Sequence, residues 1–453
     1  MTAARHEGGG TGMSPDPGFR APELHPPEGL LAIADRLESA GFEAWAVGGA
    51  IRDALHGAAR ADWDLATNAL PARVLELFRR TVPLGLEHGT VGVNSPDGNL
   101  YEVTTFRRDV ETDGRHAVVE FADTIDEDLA RRDFTINALA WRPATGELRD
   151  PHSGIEDLER RVLRAVGDPA ERFAEDYLRV LRGLRFAGRY ALDIDPDTRR
   201  ALEAAVPGLS RLSAERVREE LMKSLAGDGA GEILRLYAEV GALDPWLPEL
   251  ASVARTDPRW ESTLSAVDEI PASRSFLRLV RLLLALPRED EAGGDPVTGL
   301  MERLKFSRAE IRRAATLWHR YLPLLSPVDS AASIREWLSD VGRAYARDLF
   351  RLHFALARAS GAGESGRALL HTWRRVHEEL AGGAPIDLSD LAIDGNDLID
   401  LGLPRGPLVG LMLEELHAQV LEDPARNERR TLLDEARELI EIGALDGRTE
   451  HDD

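Results

Sequence analysis

The chain has 453 residues, 43% of them hydrophobic, a formal net charge of −23 and no cysteine. That length is enough for two to four domains, no apolar run approaches the roughly 18 residues that span a bilayer, and without thiols any metal must be held by oxygen or imidazole, as fits a reducing cytoplasm. The acidic total argues against a nucleic-acid partner. However, the basic residues are almost all arginine, with Lys223 and Lys305 the only lysines, and many lie between Arg131 and Arg218, so a locally positive groove is compatible with it.

Residues 1–28, rich in Gly, Pro and charge, are too poor in apolar side chains to order themselves and read as a disordered tail. An amphipathic helix over Leu30–Ala40 ends at Gly41. The stretch Ala44–Thr67 then reads as strand, Gly-Gly turn, short helix and a second strand carrying Asp62 and Asp64. Alternation along a strand puts these two carboxylates on one face, about 7 Å apart, with Trp63 opposite. Such a pair can share a pair of divalent ions about 3.5–4 Å apart and drive in-line displacement at phosphorus. Gly48 and Gly49 permit a tight turn into a helix whose free N–H groups make an anion site, and Arg52 adds a positive charge. Phosphate and metal sites would then lie side by side.

Asn68 is the expected N-cap of a helix carrying Val74, Leu75 and Phe78. Two alternating strands turn at Pro96-Asp97-Gly98, and on the second Glu102 shares a face with Leu100 and Thr104, which makes it the candidate third carboxylate. Residues 107–118 are polar and charged and read as a mobile loop. A hairpin follows, turning at Pro143–Gly146, and before it lies RRDFTINALA. There Arg132 can meet a triphosphate, while Asp133 and Asn137 offer an acceptor and an amide to ribose hydroxyls. From about Asp150 the period becomes 3.6. Phe173, Tyr177, Val180, Leu181 and Leu184 stripe one helix around ERFAEDYLRVLRGLRF, with Asp176 and Arg179 projecting together beside the stripe. Ser213 is placed to cap the helix in LSAERVREELMKSL. His319, His353, His371 and His377 lack the spacing of a metal site.

GGAIRD followed by DWDLAT resembles the signature of the class II tRNA nucleotidyltransferases, the family of CCA-adding enzymes and bacterial poly(A) polymerases. Trp63 departs from the smaller residue usual between the two aspartates, but it lies on the other face. EHGTV, EVTTFR, the charged loop after them and RRDFTINALA resemble further parts of the same head. EDYLR falls where the family carries its base-selecting motif, so the resemblance gives Asp176 and Arg179 that role and makes Glu175 and Arg182 supporting residues. A carboxylate facing an exocyclic amine and a guanidinium facing a ring nitrogen match cytosine and adenine and oppose uracil and guanine. The next helix matches the family at Glu215, Arg216, Glu220 and Lys223, taken as supporting the nucleotide helix or RNA end. The segment IDGNDLIDLGLPRGPLVGLMLEELHAQVLED resembles the family's tail helices.

The resemblance implies an α+β fold: a nucleotidyltransferase head with a small mixed sheet (residues 29–150), then all-α neck (151–226), body (227–382) and tail (383–453). It also implies template-independent addition of CCA to the 3′ end of tRNA from CTP and ATP by two Mg2+ ions, with the acceptor and T arms gripped by the helical part. Addition of A alone and poly(A) synthesis use the same active site; EHGTV and the loop after Thr105 favour CCA addition. A non-catalytic RNA-binding module is the alternative of a different class, and the intact Asp62, Asp64, Asp176 and Arg179 count against it.

Overall fold

The computed structural model of the protein describes residues 24–55, 63–112, 117–288, 294–321, 330–361 and 363–442. Asp62, residues 113–116 of the expected loop and most of the expected N-terminal tail lie outside these. The chain forms two compact units divided between Arg211 and Leu212.

In the first unit, helix α1 (Glu28–Ser39) is followed by β1 (Ala44–Val47), α2 (Gly49–Leu55), β2 (Asp64–Thr67), α3 (Pro71–Leu77), β3 (Thr81–Gly85), β4 (Thr90–Asn94) and β5 (Leu100–Thr105). Then come β6 (Arg107–Thr112), β7 (Ala117–Phe121), α4 (Ile125–Ala130), β8 (Ala140–Arg142) and β9 (Glu147–Arg149). Seven strands make one sheet in the order β3-β4-β5-β2-β1-β8-β9, antiparallel except for the parallel pair β2–β5. Central β1, AWAV, is buried along its whole length, as a strand covered on both faces requires. Leu30, Ile33, Ala34 and Leu37 of α1 pack with Leu65, Val91 and Val103 on one face of the sheet, and Leu24 joins them, so order begins before the expected end of the tail. Trp45, Ala66, Phe106 and Leu129 fill the other face.

Three local expectations are corrected here. Residues 107–118 are not simply a loop: β6 and β7 form an antiparallel hairpin in which Arg108 and Glu120 are register partners and pair at 3.1 Å. Asn68 does not cap α3, whose N-cap is Leu70; its Oδ1 instead accepts from the Glu43 backbone N–H at 2.9 Å. The helix expected around ERFAEDYLRVLRGLRF is two helices, as described below.

The first unit continues with α5 (Gly154–Glu159), β10 (Val162–Leu163), α6 (Pro169–Glu175), α7 (Leu178–Tyr190), β11 (Asp193–Ile194) and α8 (Pro196–Ala205). Asp168 and Asp195 cap α6 and α8 just before a proline at the first helical position, where the missing N–H costs nothing. β10 and β11 form a short parallel pair inside the region expected to be wholly helical.

The described elements of the second unit are helical: α9 (Ala214–Leu225), α10 (Ala230–Glu239), α11 (Pro248–Thr256), α12 (Trp260–Asp268), α13 (Ser275–Leu283), α14 (Pro296–Arg303) and α15 (Arg308–His319), then α16 (Ala331–Val341), α17 (Arg343–Ala359), α18 (Gly363–Ala381), α19 (Gly395–Asp400), α20 (Pro407–Glu422) and α21 (Arg429–Glu441), with short 3-10 turns between. Ser213 caps α9 as expected, and Ser307–Glu310 and Asp394–Asp397 form reciprocal capping boxes on α15 and α19. No described helix is long and apolar enough to cross a membrane.

Candidate active site

Strand register brings Asp64 and Glu102 together. Leu65 of β2 pairs with Val103 of β5 in parallel, so the residues just before them, Asp64 and Glu102, occupy the same rung and the same face. On the other side of β2, Asp64 is the partner of Val47, the last residue of β1. The chain then turns at Gly48 into α2. The Gly-Gly turn thus begins one residue beyond the β1 partner of Asp64, beside the carboxylate rung. Glu102 is exposed and Asp64 half-buried. Oxygen donors placed like this suit a hard divalent cation. Among the described residues no three acidic or histidine side chains form a complete metal site, and Asp62, two residues before Asp64, lies outside them.

Gly48 has φ +67°, and a Cβ there would lie 2.4 Å from Arg132 Nη1. Only glycine permits that approach together with that backbone. Arg132 donates to Asp128 Oδ2 at 3.2 Å and to the Asn137 carbonyl at 3.3 Å. Asp133 is buried. It accepts from Asn137 Nδ2 at 2.9 Å, from the Phe134 N–H at 2.9 Å and from Arg182 Nε at 2.8 Å. Burial alone would push the Asp133 carboxyl up, but the Arg182 charge, hydrogen bonds from Asn137 and Arg182, and the Arg179 charge outweigh it and hold the group at about 2. The Asn137 Oδ1 in turn accepts from Arg52.

Arg52 is deeply held. Its guanidinium donates to Asp53 at 2.7 Å and lies against the rings of Phe186 and Tyr190, 4.9 and 4.7 Å from their centroids, while Tyr190 Oη donates to Asp53 at 2.7 Å. These contacts tie the helix after the Gly-Gly turn to α7. Phe134 completes the tie by packing against Phe173 and Phe186 at 6.4 and 5.9 Å.

Asp176 sits in the break between α6 and α7 with extended backbone, φ −153° and ψ 107°, and its Oδ1 accepts from the Leu178 N–H at 3.0 Å. Arg179, in the first turn of α7, donates to the Arg172 carbonyl at 2.8 Å, to the Arg131 carbonyl at 3.0 Å and to Glu175. Glu175 also accepts from Arg172 at 2.8 Å. The EDYLR motif is therefore anchored to the segment that carries Arg132, Asp133 and Asn137. Glu215 and Arg216 belong to the first turn of α9, in the second unit. Sequence reasoning missed Asp53, Asp128, Arg172 and Tyr190 as members of this network. Asp53 and Arg172 lie inside motifs already singled out, whereas nothing local marks Tyr190.

Comparison with known proteins gives the family. The poly A polymerase head domain family matches residues 44–164, a family described as "Probable RNA and SrmB- binding site of polymerase A" matches 191–253, and tRNA nucleotidyltransferase domain 2 matches 294–436. A CCA-adding enzyme of Anoxybacillus flavithermus is 34% identical over 407 residues, covering 89% of this chain and 94% of that protein. The chain belongs to the class II CCA-adding enzymes. A second member, from Geobacillus kaustophilus, is 34% identical over 90% of this chain and 96% of its own. The crystal structure of the Bacillus stearothermophilus CCA-adding enzyme in complex with CTP superposes with a TM-score of 0.78 at 31% identity, over 92% of this chain and 98% of that one. Membership in the family, and the α+β architecture of a mixed-sheet head followed by helices, are thus as the sequence motifs implied.

Proposed function

We infer that the protein adds CCA to the 3′ end of tRNA, using CTP and ATP without a nucleic-acid template. The observation that carries this is the shared rung of Asp64 and Glu102 next to the Gly48 turn, in a chain whose relatives over nearly its full length are CCA-adding enzymes. The reaction joins the RNA 3′-oxygen to the α-phosphorus of the incoming nucleotide as the bond to pyrophosphate breaks. Asp62, Asp64 and Glu102 would hold two divalent cations, magnesium in this reading, which when bound supply Lewis-acid activation of the 3′-hydroxyl and neutralise charge on the leaving group.

The remaining roles fall to this chain's own side chains. Gly48 and Gly49 let backbone N–H groups approach the triphosphate, and Arg132 adds charge from across the turn. Arg52, held between Asp53 and two rings, fixes α2 and orients Asn137. Asp133 and Asn137 meet the ribose. Asp176 and Arg179 read the base edge, with Glu175 and Arg182 holding the reading residues in place; Glu215 and Arg216 support the nucleotide helix or RNA end. Domain limits at about 150, 226 and 382, separating head, neck, body and tail, belong to the same reading, as do the acceptor and T arms of tRNA as the contacted parts. This reading places the enzyme with its tRNA substrates in the cytoplasm.

Incubation of tRNAs lacking their last three, two or one nucleotides with each single NTP tests it. Addition of C to the first two substrates and of A to the third is expected. Addition of A alone, or of long A tracts to all three, would overturn CCA addition.

A further inference from the structure

Helices α17 and α18 enclose a pocket of about 370 Å³ lined by Arg347, Phe350, Arg351, Phe354, Trp373 and His377, residues that the head and neck chemistry leaves unused. Helical spacing builds it. The four residues from α17 fall at i, i+3, i+4 and i+7, and the two from α18 are four apart, so each set forms a single face. Phe350, 2% exposed, is the floor. Trp337 backs it edge-on at 5.8 Å, and Trp373 stands above it with ring centroids 4.8 Å apart. Phe354 lies 6.4 Å from Phe350, and His377 lies 5.9 Å from Trp373. Phe354 and Trp373 stay half-buried and His377 is exposed, so ring faces that a core would cover are left open.

Charge separates this pocket from an ordinary unfilled core. In a chain of net −23, α17 and α18 together carry seven arginines against four carboxylates. Arg351 pairs with Asp348 at 2.8 Å, a carboxylate it shares with Arg313 at 2.6 Å. Arg347 is exposed on the rim and has no ion-pair partner among the described residues. Open aromatic faces beside an uncompensated guanidinium suit a planar ring attached to a phosphate, the combination by which unpaired RNA bases are held.

We propose that this pocket receives an unpaired base of the bound RNA, stacked on Trp373 and Phe354, with Arg347 at the adjoining phosphate. It rests on RNA being the substrate, as inferred above. The test is direct binding of the full chain to tRNA lacking its CCA end, by fluorescence anisotropy across a salt series. Trp373→Ala should weaken binding by about 5- to 150-fold, the range for loss of one stacked base, and Trp373→Phe should restore most of it. Arg347→Ser should lower the slope of log affinity against log salt by about 1. At saturating tRNA, kcat and the KM for CTP should be unchanged in all three variants. Binding within about two-fold of wild type in both Trp373→Ala and Arg347→Ser would overturn the proposal. If Trp373→Ala lowers the unfolding temperature, the exposed Arg347→Ser decides. Because binding is read without turnover, a wild type that binds tRNA but does not extend it refutes CCA addition alone; a wild type that extends tRNA while the variants bind it normally refutes the pocket alone.

Discussion

Two buried titratable groups, one in each unit, are accommodated in opposite ways. In the first, Asp133 is buried as a charge, satisfied by Arg182, Asn137 and a backbone N–H. In the second, His353 is buried as a neutral ring: it stacks on Tyr321 at 4.0 Å and its Nε2–H donates to the Tyr321 carbonyl at 2.8 Å. Burial pushes the His353 imidazole down to about 4, the Tyr321 carbonyl opposes that, and the Arg281 charge adds to it. A paired charge in the Asp133 cluster fixes the geometry of polar contacts, whereas a stacked neutral imidazole fills a helical core. The two solutions fail at different pH, which makes the comparison testable.

The largest effect should come from breaking the buried charge. Asp133→Ala leaves Arg182 and Asn137 without their shared acceptor, so the first unit should lose about 3–5 kcal/mol, read by denaturant unfolding. A loss below about 1 kcal/mol would mean the network is not the anchor proposed. Acid should next distinguish the units. The folded value of His353, about 4, lies below its ordinary 6.5, so as pH falls through that window the unfolded state takes up a proton that the folded state refuses. The second unit should therefore lose stability from pH 6.5 towards 4, by about 3 kcal/mol in all, and His353→Gln should flatten that limb. Hydrogen exchange in α13 and α17 against α7 would locate it.

Asp133 behaves differently because its folded value, about 2, lies below the ordinary 3.8. Its contribution is complete above the unfolded value and is lost only as pH falls from about 4 towards 2, by about 2 kcal/mol. α7 should accordingly stay protected at pH 5 while the second unit loosens. Smaller still is base selection. Exchanging Asp176 or Arg179 for alanine should change the CTP:UTP or ATP:GTP ratio of kcat/KM by about ten-fold, the discrimination of one good base contact by analogy with groove readout of DNA.

Much of the head was legible because its signals are local. Alternation with Pro96-Asp97-Gly98 between β4 and β5 fixed the hairpin and hence the face of Glu102, and the spacing after Gly48 fixed the turn. The break between α6 and α7 was not legible, since the apolar period runs through EDYLRV unbroken. It arises from the extended backbone at Asp176 and from Tyr177, which lies where a Gly208 Cβ would be, 2.1 Å away. Charge misled the reading of 107–118, because Arg108, Asp109 and Glu111 look like solvated loop residues until strand pairing sets them opposite Glu120, Val119 and Val118. The hold on Arg52 depends on Phe186 and Tyr190, more than a hundred residues later, and no local pattern announces a contact at that distance. The pairing of Asp64 with Glu102 could be expected only as a shared preference for metal; the parallel register makes it a rung.

The proposed function divides labour in the first unit, with chemistry at the carboxylate rung and base reading at the α6–α7 break. It is tested most directly by measuring kcat/KM for CTP and UTP on tRNA lacking CCA, in Asp64→Asn and Arg179→Ala side by side. Asp64→Asn should lower both values by about 100-fold or more and leave their ratio as in wild type, whereas Arg179→Ala should shift the ratio by about ten-fold. A changed ratio in Asp64→Asn, or an unchanged one in Arg179→Ala, would contradict the account.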